Sequence, residues 1–116
     1  MKFDFEDFPV YKEAIHFYEK LDRFLELLPE KRTKRIIDQI ERAAISISLN
    51  IAEGAGRYHK ADKRNYYIIA KGSTYECIAC LQILKTRNLI SEEKYNDFYD
   101  SLGKITKQLF GLIKII

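Results

Sequence analysis

Cys77 and Cys80 stand at the Cys-x-x-Cys spacing of a redox dithiol. A reactive pair of that kind sits at a helix N-terminus, where the helix dipole lowers the thiol pKa. These two cysteines fall well inside a long helical pattern at core spacing, so they read as small packed hydrophobes. Two cysteines also cannot supply a disulfide scaffold or a four-ligand zinc site unaided. Of the two histidines, His16 lies near the edge of an apolar helix face, and His59 sits between Tyr58 and Lys60 in the most loop-like stretch of the chain. His59 could contact phosphate there or be simply solvated. Neither histidine has Cys, Asp or Glu at metal-ligand spacing, and no Glu-x-x-His motif of the di-iron bundle type occurs. The Gly54-Ala55-Gly56-Arg57 run follows a helical pattern instead of preceding one, and it lacks the frame of a phosphate-binding loop. No catalytic residue, metal, cofactor or small-molecule substrate is therefore expected, and the chain reads as a non-enzyme.

Charge offers a different chemistry. Residues 1–30 carry four Lys/Arg against eight Asp/Glu, residues 31–87 twelve against five, and residues 88–116 four of each. The overall +3 thus conceals a net +7 in the middle of the chain. Its candidates for contact with RNA or DNA backbone are Lys31, Arg32, Lys34, Arg35, Arg57, Lys60, Lys63 and Arg64. The same cations would equally serve as solvated helix ends and intramolecular ion-pair partners. A second polar set, Gln39, Arg42, Ser46, Asn50 and Glu53, repeats at 3-4-4-3 spacing and so forms a stripe beside an apolar seam. Such a stripe is either a hydrogen-bonded network buried between helices or subunits, or the solvent side of an amphipathic helix. Gly72 and Ser73 interrupt good helix formers, with Glu76 one turn later. Gly costs roughly 1 kcal/mol there relative to Ala; a close helix–helix approach is the reason to keep small residues at that point, and Gly72, Ser73 and Glu76 read as packing and registry.

The elements that must position these residues are helices. Val10, Ala14, Phe17, Leu21, Phe24 and Leu28 keep heptad spacing. Asp7 is the expected cap of this first helix, Pro9 fits its first turn, and Pro29 ends it. Ile36, Ile37, Ile40, Ala43, Ala44, Ile47 and Ile51 mark a second helix, stopping at Gly54 or Gly56 as glycines that accept a left-handed conformation. A third runs from about Asp62 to Thr86 on Tyr66, Ala70, Ser73, Cys77, Cys80, Leu81 and Leu84. Asn88 marks a turn. Ser91 caps a fourth, with Glu92 and Glu93 near its positive end and Tyr95, Phe98, Leu102, Ile105, Leu109, Leu112 and Ile116 on its seam. Short connections between rods of this length give an all-α, antiparallel up-down-up-down four-helix bundle, one domain over residues 1–116. Five Gly and two Pro are too few for a strand-and-turn fold. Nothing approaches the roughly 18–20 apolar residues of a membrane span, and acids and aromatics stand where a signal peptide would be basic, then apolar. A cytoplasmic protein without membrane contact is expected. Apolar residues beside the seams (Tyr11, Ile15 and Tyr18; Ile68, Ile69 and Ile78; Phe110, Ile113 and Ile115) exceed what one bundle needs, and self-association would cover them.

The stretch from Gln39 to Glu76 resembles the bacterial four-helix-bundle family named for the 23S rRNA intervening sequence. The resemblance is carried by Gln39-Ile40, Arg42-Ala43, Ser46, Asn50-Ile51-Ala52-Glu53-Gly54, Gly56-Arg57 and Ile69-Ala70-x-Gly72-Ser73-x-x-Glu76, with the opening FEDFPVYKEA similar to the family's usual start. Tyr66-Tyr67 and Tyr75 depart from it, standing where Phe-Leu and Leu are usual. The resemblance implies an antiparallel bundle, a homopentamer around a central axis and no established enzymatic activity. Some members are encoded within insertions in 23S rRNA genes, and structural relatives are accessory proteins of retroelements that engage nucleic acid and a reverse transcriptase. It assigns Gln39, Arg42, Asn50, Glu53, Gly54, Arg57, Gly72, Ser73 and Glu76 to fold and assembly. Two functions follow as expectations: an oligomer that binds RNA or DNA, or a protein-interaction scaffold that touches no nucleic acid.

Overall fold

The structure, a computed structural model, describes residues 1–29, 31 and 33–116. A short 3-10 turn, Asp4–Asp7, leads into four helices: α1 Pro9–Glu26, α2 Lys34–Ala55, α3 Lys60–Thr86 and α4 Glu92–Ile115. They pack around one apolar core in a body of 44 × 27 × 21 Å. Side-chain pairs fix the directions. Along α2 and α3, Gln39 meets Glu76, Ser46 meets Ser73 and Arg57 meets Tyr66, so one number rises as the other falls. Between α3 and α4, Gln82 meets Tyr95 and Thr74 meets Thr106, while Arg64 reaches Ile116. Both pairs of helices are antiparallel, as the short connections dictate.

The apolar seams point inward. Val10, Ala14, Phe17 and Leu21 of α1 are buried, and Phe17 and Phe24 both meet the edge of Phe98 on α4 at about the distance of a T-shaped pair, 5.7 and 5.6 Å. Two positions shift from the sequence reading. Leu25 is buried where the strict heptad selects Phe24, because a straight helix turns every 3.6 residues and drifts from a seven-residue repeat. Tyr67, one residue past the expected Tyr66, carries the buried ring on α3, and Tyr66 lies at the border.

Two expected helix ends also differ. Asp7 does not cap α1. The N-cap is Phe8, and the Asp7 carboxylate pairs instead with the Lys2 ammonium at 2.8 Å. That contact holds the Asp7 carboxyl below its usual range. No glycine has a positive φ: Gly56 closes α2 at φ −80° in the right-handed region. Gly54 lies inside the last turn of α2, for a reason of space. A Cβ there would stand 2.7 Å from Tyr67 Cε1 and 3.1 Å from Tyr66 Cβ, so its absence is what lets α3 lie close to α2. Asn88, at φ 58°, makes the left-handed turn after α3, a role its side chain suits. Ser91 caps α4 as expected, its Oγ accepting from the Lys94 backbone N–H at 3.1 Å.

Candidate functional site

The polar stripe of α2 falls between the two readings open to it. Gln39, Arg42 and Glu53 are exposed, while Ser46 and Asn50 are half-buried against α3. Together they form the α2 side of a polar seam running the length of the α2/α3 pair. Gln39 donates to the Glu76 carboxylate at one end. In the middle, Ser73 Oγ donates to Ser46 Oγ at 2.8 Å, and Asn50 Nδ2 donates to the Ser46 carbonyl and hydroxyl at 2.8 and 2.9 Å. At the other end Arg57 pairs with Glu53 at 3.3 Å, donates to the Tyr66 hydroxyl at 2.6 Å and lies over the Tyr66 ring at 4.7 Å. The resembling motif is thus one contiguous structure that sets the register of α2 against α3. Arg42 alone among its α2 members reaches outward without a partner among the described residues.

Apolar side chains flank this seam. Ile45 and Leu49 are exposed on α2, Leu49 at 63%, and Ile69 and Ile83 are exposed on α3. Gly72 lies between them, exposed, and a Cβ there would meet nothing within 4 Å. The close approach expected at this point is therefore made within the chain by Ser73, which is buried, and not by Gly72. Ile45, Leu49 and Ile83 escaped the sequence reading, although Ile45, Leu49 and Ala52 repeat at helical spacing.

The basic candidates do not form one patch. Lys31, Lys34 and Arg35 stand at the α1/α2 end of the bundle, and Arg57, Lys60, Lys63 and Arg64 at the α2/α3 end; Arg32 lies outside the described residues. Helix α2, 22 residues and about 33 Å long, starts within the first group and ends beside the second, holding the two apart. Several have internal work. Lys63 Nζ donates to the Ala55 and Gly54 carbonyls at 2.8 and 3.4 Å, closing the C-terminus of α2. Arg64 Nη2 donates to the Ile116 carbonyl at 2.9 Å, closing α4. Lys34 pairs with Asp38 at 3.4 Å and Arg57 with Glu53. Among the described residues, Lys31, Arg35 and Lys60 have no such partner and are exposed.

The remaining chemistry is muted. Cys77 and Cys80 are buried free thiols. Burial pushes the Cys77 pKa up, with Cys80 and Glu76 adding to it, so the nucleophilic thiolate is suppressed. His16 and His59 are exposed, His59 edge-on to the Tyr58 ring at 5.1 Å. No group of three His, Cys, Asp or Glu residues among those described could hold a metal ion, and none of their helices is long and apolar enough to cross a membrane.

Comparison with known proteins agrees with this arrangement. A crystal structure of a protein of unknown function from the S23 ribosomal protein family of Bacteroides thetaiotaomicron is similar at a TM-score of 0.80 and 26% identity, covering 90% of this chain and 98% of that one. No curated protein matches. The profile of the 23S rRNA-intervening sequence proteins matches residues 6–111, a span that includes the whole polar seam and all four helices up to the last turn of α4. The chain therefore belongs to the 23S rRNA-intervening sequence protein family.

Proposed function

We propose that this chain is a non-enzymatic cytoplasmic protein that assembles with copies of itself, as a pentamer, and binds RNA or DNA backbone through its basic ends. The observation that carries the reading is the α2/α3 face. The bundle fills its own core yet leaves Ile45, Leu49, Ile69 and Ile83 exposed around Gly72, a glycine that costs helix stability and meets no neighbour in its own chain. A second copy seated there supplies the missing close approach. Assembly also multiplies the few unpaired cations, Lys31, Arg35 and Lys60, into a multivalent surface whose avidity exceeds that of any one copy.

Light scattering of the purified protein tests the first half, and a gel-shift titration with structured rRNA at low and high salt tests the second. A particle larger than one chain and a shift that fades steeply with salt are expected. A strict monomer at high concentration, or no shift at low salt, overturns the corresponding half. The alternative, a protein-interaction scaffold, is favoured by the internal use of Lys63, Arg64, Lys34 and Arg57. It predicts a partner that survives nuclease treatment in a pull-down from the native host.

A further inference from the structure

Outside the Thr74–Thr106 and Gln82–Tyr95 contacts, a shallow groove of about 400 Å³ follows the α3/α4 pair, on the flank of α3 away from the polar seam. Tyr75, Ile78, Tyr99, Leu102, Gly103 and Lys107 line it. Tyr75 is 61% exposed and Tyr99 48%, and neither phenol has a hydrogen-bond partner among the described residues. At Gly103 a Cβ would meet nothing within 4 Å, so the groove is open at that point of its lining. Toward the α2/α3 end the face continues with Phe110, 52% exposed. Lys71 lies over the Tyr75 and Phe110 rings at 5.6 Å each, and Lys114 over Phe110 at 5.8 Å. From Ser101 to Ile116, α4 carries Lys104, Lys107 and Lys114 and no acid.

The Tyr99 ring also lies against Tyr95 at 5.7 Å. Exposed aromatic rings interleaved with lysines are the two halves of a single-stranded nucleic-acid platform: rings on which bases stack once the lysine lying over them turns to a phosphate, and cations that follow the phosphates. We infer that this groove binds single-stranded RNA or DNA, with bases against Tyr75, Tyr99 and Phe110 and phosphates at Lys71, Lys107 and Lys114. A duplex keeps its base faces stacked on one another and does not satisfy such a site. An acidic amphipathic helix would meet the lysines, but it calls for aliphatic pits at one-turn intervals, whereas this groove presents two exposed tyrosines and an open glycine. The inference goes beyond the backbone contacts proposed for the bundle ends. Those act through charge alone, while this groove acts through ring stacking.

Anisotropy of a labelled 20-nucleotide polyuridylate, read beside an RNA hairpin, tests it on the full chain. Tyr75→Ala and Tyr99→Ala should each weaken the single strand about tenfold at moderate salt and leave the hairpin unchanged. Tyr75→Phe and Tyr99→Phe keep the ring and should bind as the parent does. Gly103→Leu, at an exposed site with open space, should block the groove without disturbing the core, and Lys107→Gln should flatten the salt dependence by about one phosphate contact. Single-strand binding that survives both alanine variants and Gly103→Leu overturns the inference. So does a change of particle size without a change in polyuridylate affinity, which would assign the groove to a second copy. If the hairpin binds and the single strand does not, the groove reading fails while the backbone reading stands. Loss of hairpin binding alone on Lys31→Gln, Arg35→Gln and Lys60→Gln separates the two sites.

Discussion

Gly54→Ala puts the packing of α2 on α3 to a direct test. In an open helix this change stabilises by up to about 1 kcal/mol, since alanine has less backbone freedom to lose. Here the new methyl would enter space held by Tyr67 Cε1 at 2.7 Å and Cδ1 at 3.0 Å, with Tyr66 Cβ at 3.1 Å. Tyr67 is 3% exposed, so its ring has nowhere to swing, and Tyr66 Cβ moves only with the α3 backbone. Overpacking of this kind costs about 1–3 kcal/mol, and the upper end applies where neither neighbour can yield. The net expectation is a loss of about 2 kcal/mol, which for a chain of this length lowers the melting temperature by roughly 8 °C.

Urea and thermal unfolding followed by circular dichroism measure it. The Tyr67→Ala background removes the nearer obstacle, so in that background Gly54→Ala should cost markedly less, the difference being the coupling between the two sites. Gly72→Ala is the control. Having no neighbour in its own chain, it should raise the stability of the monomer by up to about 1 kcal/mol. A Gly54→Ala protein at least as stable as the parent, or one whose deficit is the same with and without the Tyr67 ring, refutes the close-approach explanation.

Ser91→Ala should cost about 1 kcal/mol through loss of the α4 cap, and Ser91→Asp should restore it, both read from the urea midpoint. Asn88→Ala should cost about 1–2 kcal/mol because φ 58° is a left-handed conformation, and Asn88→Gly should remove that cost. Burial raises the pKa of Cys77 above its ordinary 9.0 and that of Tyr67 above its ordinary 10.0, so the folded chain keeps protons that the unfolded chain has released. Stability is accordingly full below pH 9 and falls as the pH climbs beyond it, by up to about 1.4 kcal/mol per pH unit for each group. Cys77→Ala should flatten that alkaline decline. For the same reason both thiols should resist a maleimide in the native protein at pH 7 and react at once in denaturant.

The helices were legible because an apolar period records which face of each rod meets the core, and Ser91 and Asn88 announce their own geometry locally. What escaped depends on neighbours distant in sequence. Gly54 has the look of a helix stop, yet its cause is the ring of Tyr67 on the next helix. Asp7 has the type of a cap, yet Lys2 holds it. The basic segment reads as a unit along the chain, but α2, a 22-residue helix that begins at Lys34, carries its halves to opposite ends. Lys63 and Arg64 show why charge counts overstate a binding surface, because side chains bonded to carbonyls at helix termini are tied to the protein and less free to reach a phosphate. The outward groove of Tyr75 and Tyr99 left only a trace in sequence, a tyrosine where leucine is usual.

The first turn of α3 carries a mechanical implication. Lys63 grips the end of α2 and its neighbour Arg64 the end of α4, so one turn of backbone clasps three helix termini. Fraying at that pole cannot proceed one rod at a time, and amides there share a common opening event instead of exchanging independently. Among the described residues, α1 has no part in this clasp; Lys20, bonded to Asp97 and Ser101, is its polar tether to α4. The bundle is in that sense a stapled trio with a fourth rod laid against it.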